Sequence, residues 1–129
     1  MPQTPEFRNR VLVVEDEPDI REMIGLVLDA TAVSHEDVGD GVTALDRISR
    51  QEFGTVLLDL MMPGMDGFAV LRSLAETRPE FLGRVIVLTG GTPELIARVD
   101  ANVFGVLRKP VVLRELLDAV HRCLDQPSH

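Results

Sequence analysis

The sequence predicts an α/β domain built on a doubly wound, five-stranded parallel sheet with helices on both faces. Short apolar runs rich in β-branched residues recur along the chain, and longer stretches of helical period separate them. The length, 129 residues, suits one compact domain with one core.

Val11, Leu12, Val13 and Val14 form the first run, too short for a helix and apolar enough to be buried on both faces. Ile20, Met23, Ile24, Val27 and Leu28 then fall at i, i+3, i+4, i+7 and i+8, the stripe of an amphipathic helix. Residues 32–38 are more polar and are expected as an edge strand. Ala44, Leu45 and Ile48 mark a shorter helix, Val56 to Leu58 the central strand, and Phe68, Leu71, Leu74 and Ala75 a third helix. A fourth strand follows at residues 85–88. Pro93 suits the first turn of a helix through Val99. The fifth strand is expected around residues 103–107, and Val112, Leu113, Leu116, Leu117, Val120 and Leu124 stripe the last helix.

Composition narrows the function classes. Hydrophobic residues make up 45% and aromatics only 4%, so the core must rest on Leu, Val, Ile, Ala and Met. A formal net charge of −8 argues against direct nucleic-acid binding, and it means that any anionic ligand needs local cations. No apolar run is long enough to span a bilayer, and the first residues lack the apolar region of a signal peptide, so no membrane partner is expected. Cys123 is alone, which excludes an internal disulfide and fits a reducing, cytoplasmic setting. Residues 1–9 and 126–129 are expected as flexible tails around a domain at 10–125.

In open α/β sheets ligands bind beyond the carboxyl ends of the strands, where the strand order reverses. There the sequence places Glu15, Asp16 and Glu17 after the first run, Asp59 at the end of the central one, Thr89 after the fourth and Lys109 after the fifth. Glu15, Asp16 and Asp59, if they converge, repel one another unless a cation joins them. A small hard dication with oxygen ligands, Mg2+, is the natural partner. The turn after the first strand is acidic where a nucleotide site would be glycine-rich, so a bare phosphate would be repelled there. A phosphoryl group held by a metal, the Thr89 hydroxyl and the Lys109 ammonium is the alternative, with Asp59 as nucleophile.

Four stretches in this order, VLVVEDEPDI, VLLDLMMPGMDG, VIVLTG and LRKP, each closing an expected strand, resemble the receiver domain of two-component response regulators. The resemblance spans about residues 10–124 and implies the flavodoxin-like receiver fold. It implies that Asp59 accepts phosphate from a histidine kinase or histidine phosphotransfer protein. Asp16 is then a direct Mg2+ ligand, Glu15 acts through water, and the Met61 carbonyl is a further ligand. Thr89 corresponds to the switch hydroxyl, Lys109 to the family's lysine, and Pro110 to a proline whose preceding peptide is usually cis. The implied protein is a phosphoacceptor switch rather than an enzyme, taking part in its own phosphotransfer and slow dephosphorylation and then binding a downstream protein target.

Two departures stand out. Glu15 occupies a place where the family more often has Asp, which keeps the charge on a longer arm. Val106 occupies the place of a switch Tyr or Phe, so coupling through a swinging ring is in doubt. Strand parity is expected to put Phe104 and Val106 on one face at different depths, so Phe104 does not replace that ring. The chain is expected either as a stand-alone receiver or as a domain of a larger protein such as a hybrid kinase. Two other readings stay open. One is a receiver-like interaction module that never meets phosphate. The other is a small aspartyl-phosphate phosphatase, disfavoured by Met61 where such enzymes carry a second acid.

Met61, Met62 and Met65 read as loop and core packing, and Cys123 as inert core on the last helical stripe. His35, His121 and His129 share no ligand spacing. Asp66 and Gly67 read as a turn with no chemistry.

Overall fold

The computed structural model of the chain describes residues 9–126. Residues 1–8 and 127–129 of the expected tails lie outside the described residues. Gln126 is tied back, its side-chain amide donating to the Gly83 carbonyl at 3.0 Å.

Five strands form one parallel sheet in the order β2-β1-β3-β4-β5, with β1 at Arg10–Val14, β2 at Ser34–Val38, β3 at Thr55–Asp59, β4 at Val85–Thr89 and β5 at Gly105–Arg108. The helices are α1 (Pro18–Ala30), α2 (Gly41–Arg50), α3 (Gly67–Thr77), α4 (Pro93–Ile96) and α5 (Leu113–Leu124). The order turns back between β1 and β3, which places the crevice for a ligand at their carboxyl ends. No helix of the described residues is long and apolar enough to cross a membrane.

The strand residues alternate between two buried layers, as a period of two dictates. Leu12, Val14, Val56 and Leu58 join one cluster with Ile48 of α2 and Leu74 of α3. Val11, Val13, Leu57 and Ile86 join the other with Ile24 of α1 and Leu116 of α5. β1, β3 and β4 are buried through almost their whole length, which fixes where their last residues emerge. Cys123, expected in the core, is 2% exposed.

The structure departs from the expectations at three places. α4 stops at Ile96 instead of reaching Val99. Beyond it the Arg98 and Val99 amides donate to the Leu95 and Ile96 carbonyls, three residues back, and the Asp100 side chain accepts the Asn102 amide at 2.8 Å in a separate turn. A 3-10 helix at Pro79–Arg84 was not anticipated. It buries Phe81 between the Arg78 and Arg84 guanidinium groups, 4.5 and 4.6 Å from the ring centre. Both arginines also bind Glu52, so the segment is held by partners distant in the chain rather than by a local period. Finally, Phe104 and Val106 face opposite layers, Phe104 against the α1/α5 cluster and Val106 against the α2/α3 cluster. Phe104 precedes β5, so strand parity does not run through it.

The edge strand β2 is fastened to α1 by His35. Its ring nitrogens lie 2.6 Å from Asp37 Oδ1 and 2.8 Å from Asp29 Oδ1. Burial works against the charged ring, but hydrogen bonds and charge from Asp37 and Asp29 outweigh it and raise the His35 pKa above 6.5. The folded state therefore holds this proton more tightly than the unfolded chain. Its contribution to stability is complete below pH 6.5 and is lost as pH rises through the folded value. Urea unfolding across that range should show this decline in the wild type, and His35→Asn should remove it.

Candidate functional site

Each strand end delivers one part of the site. Glu15 follows β1 directly; its amide donates to the Val38 carbonyl at 3.1 Å, and its side chain is 0% exposed. Asp59 is the last residue of β3 and is 1% exposed. Its Oδ1 accepts the Met61 amide at 3.1 Å and lies 3.3 Å from Lys109 Nζ. The same ammonium donates to Glu15 Oε1 at 3.2 Å, so one cation bridges two buried carboxylates. Glu15, Asp16 and Asp59 offer oxygen atoms that all lie within 4.8 Å of one another.

Lys109 is held by its own backbone. Its amide donates to the Thr89 carbonyl at 2.8 Å, and the Lys109–Pro110 peptide is cis. Thr89 closes β4, is 0% exposed, and its Oγ1 accepts the Gly91 amide at 2.9 Å. The structure thus brings Glu15, Asp16, Asp59 and Lys109 together and sets Thr89 on the adjoining strand end. Met61 meets Asp59 through its amide, with its side chain 60% exposed.

The chain is similar to known proteins in sequence and in fold. A family model for the response regulator receiver domain matches residues 11–121. The chain belongs to this family. As a receiver domain it is a signalling module of two-component systems rather than an enzyme. It is 36% identical over 119 residues to Response regulator MprA of Mycobacterium sp. (strain KMS), a match covering 92% of this chain and 52% of that protein. The chain therefore spans about half the length of the curated relatives it matches. The signal receiver domain of a histidine kinase from Syntrophus aciditrophicus superposes with a TM-score of 0.80 at 28% identity, covering 90% of this chain and 89% of that one. The chemotaxis response regulator CheY4 of Vibrio cholerae superposes with a TM-score of 0.78 at 27% identity, covering 88% and 97%.

The receiver's acidic cluster is electrostatically unbalanced. Burial, then a hydrogen bond and the charge of Asp59, push the Glu15 carboxyl up to about 7, against the pull of the Glu17 amide and Lys109. Lys109 moves upward as well: burial opposes its charge, but Asp59 and Glu15 outweigh that. Three carboxyl groups thus crowd together with one ammonium that reaches only Glu15 and Asp59, and Asp16 Oδ1 is buried without a hydrogen-bond partner among the described residues. A hard dication fits this donor set, because it would supply the missing charge and the missing partner.

The sign of the pH effect follows. The folded receiver holds the Glu15 proton more tightly than the unfolded chain, where the ordinary value is 4.5. In EDTA, the stability due to this group should be complete below pH 4.5 and lost as pH rises through about 7. Mg2+ should flatten that slope by taking the proton's place. Urea unfolding with and without Mg2+ measures it, and a slope unchanged by the ion would show that the acids do not share one.

Sequence reasoning missed the residues that shape the site from outside. By sequence Gly67 is a turn residue with no chemistry. A side chain there would put its Cβ 2.7 Å from both the Asp59 carbonyl oxygen and the Leu60 Cα. Its amide also donates to the Leu60 carbonyl at 3.0 Å, so the start of α3 is pressed onto the end of β3. Arg21 donates to the Glu15 carbonyl at 2.9 Å. Neither has a sequence signal beyond its type, since each acts through a contact that only the tertiary fold creates.

Proposed function

We propose that this receiver is a phosphoacceptor switch in which Asp59 takes a phosphoryl group from the phosphohistidine of a histidine kinase or histidine phosphotransfer protein. The observation that carries this reading is the single ammonium of Lys109 shared between Asp59 and Glu15 at the sheet's switch point. An Asp59 carboxylate oxygen attacks phosphorus, the O–P bond forms, and the P–N bond breaks with its electron pair going to the donor imidazole. Asp16, Asp59 and the Met61 carbonyl are the residues that would hold Mg2+, with Glu15 acting through water. When bound, the ion supplies positive charge beside the reacting carboxylate.

The chain's own residues do the remaining work. The Met61 amide and Lys109 fix the Asp59 carboxylate, and burial excludes water from its flank. Lys109 and the Thr89 hydroxyl then grip the new peripheral oxygens. The added charge biases two packings of the β4–α4–β5 surface and so changes affinity for a downstream protein target. Val106 is half-buried in the α2/α3 layer and carries no ring, which favours coupling through the β4–α4 loop. It also keeps alive a second reading, a phosphorylation-independent interaction module.

Incubation with Mg2+ and acetyl phosphate, followed by intact mass measurement, tests this. One labile phosphoryl group per chain is expected. No adduct would favour the silent module, and release of many phosphates per chain would favour a phosphatase.

A further inference from the structure

We infer that Arg21 is a positioning residue for the acidic side of the site, a role that rests on the Mg2+ reading above. Its Nη1 donates to the Glu15 carbonyl at 2.9 Å while the Glu15 amide donates to Val38 at 3.1 Å. Both peptide groups flanking the Glu15 side chain are therefore fixed by partners outside their own turn. The guanidinium also fills the space beside Gly39, where a Cβ would lie 3.1 Å from Nη1 and 3.9 Å from Cζ. One side chain from the first turns of α1 thus joins the turn after β1 to the turn after β2.

The consequence falls on Asp16, the next residue. Its buried Oδ1 has no hydrogen-bond partner among the described residues, so no hydrogen bond from them holds that oxygen in place. The direction of that carboxylate is set by the backbone that carries it, and Arg21 braces the peptide joining Glu15 to Asp16 through the Glu15 carbonyl. Groups that orient a metal's ligands are worth about 10- to 100-fold in affinity. A guanidinium suits the task better than an ammonium, because its fixed fork of donors can meet a carbonyl while the head group sits beside a glycine.

The test is Mg2+ titration calorimetry on the full chain, which has no Trp or Tyr to report binding by fluorescence. Arg21→Ala is expected to weaken Mg2+ binding about 10-fold, with part of the loss recovered in Arg21→Lys. Gly39→Ala, which keeps Arg21 but displaces its head group, is expected to weaken binding in the same direction. Urea unfolding in EDTA separates this from general destabilisation, since a merely structural role would lower stability and leave the affinity of the folded fraction unchanged. If Arg21→Ala does not fold, Gly39→Ala decides. Arg21→Ala or Gly39→Ala that folds and binds Mg2+ within about twofold of wild type overturns the role of Arg21 alone. A wild-type chain that takes neither Mg2+ nor phosphate overturns this inference and the phosphoacceptor reading together.

Discussion

Asp59→Asn is expected to abolish the phosphoryl adduct formed with Mg2+ and acetyl phosphate, with no residual labelling at the neighbouring acids. The carboxamide keeps the shape of the side chain and its contact with the Met61 amide, but its oxygen is not a nucleophile at neutral pH. The same change removes one of the three crowded charges. The Glu15 carboxyl should fall from about 7 towards its ordinary range, because Asp59 contributes the second and third causes of its elevation, though burial remains. In EDTA the fall in stability between pH 4.5 and about 7 should therefore be shallower in the variant than in wild type. Intact mass and urea unfolding check the two halves separately. An adduct that survives in the variant would move the acceptor to another side chain.

Gly67→Ala should be the most damaging small substitution near the site. In an open helix the change from Gly to Ala stabilises by about 1 kcal/mol. Here the new methyl would meet backbone atoms at 2.7 Å, and backbone cannot rotate away. Either α3 lifts off or the end of β3 shifts, and overpacking of this kind costs about 3 kcal/mol. The Asp66 cap on the Ala69 amide is retained in the variant, so lost capping would not explain a loss. Urea unfolding reads the change, and a neutral or stabilising outcome would show that the approach of helix to strand is looser than described.

Much of this was legible in the chain because the signals were local and repeated. β1, β3 and β4 are buried on both faces, and such strands read directly as unbroken apolar runs. The acids, Thr89 and Lys109 were legible because each interrupts or closes such a run, where a polar group needs a reason. What stayed hidden was non-local. The 3-10 helix depends on Glu52 reaching Arg78 and Arg84 across the fold. At the early end of α4 the backbone changes to bonds three residues back at Arg98 and Val99, a tightening the apolar pattern does not encode. The placing of Phe104 and Val106 failed because a bend before β5 resets the alternation. Arg21 and Gly39 matter through one guanidinium beside one missing methyl, which no spacing rule encodes.

The Thr89 hydroxyl uses one of its three bonding sites among the described residues. A hydroxyl offers one proton and two lone pairs, and the Gly91 amide occupies one lone pair. Among the described residues the proton has no acceptor, so donation to an incoming oxygen adds to the existing turn without displacing it. Each bond in such a relay polarises the next. Capture of an anion and stiffening of residues 89–91 would therefore rise in step, making the loop's order a readout of occupancy that needs no aromatic lever.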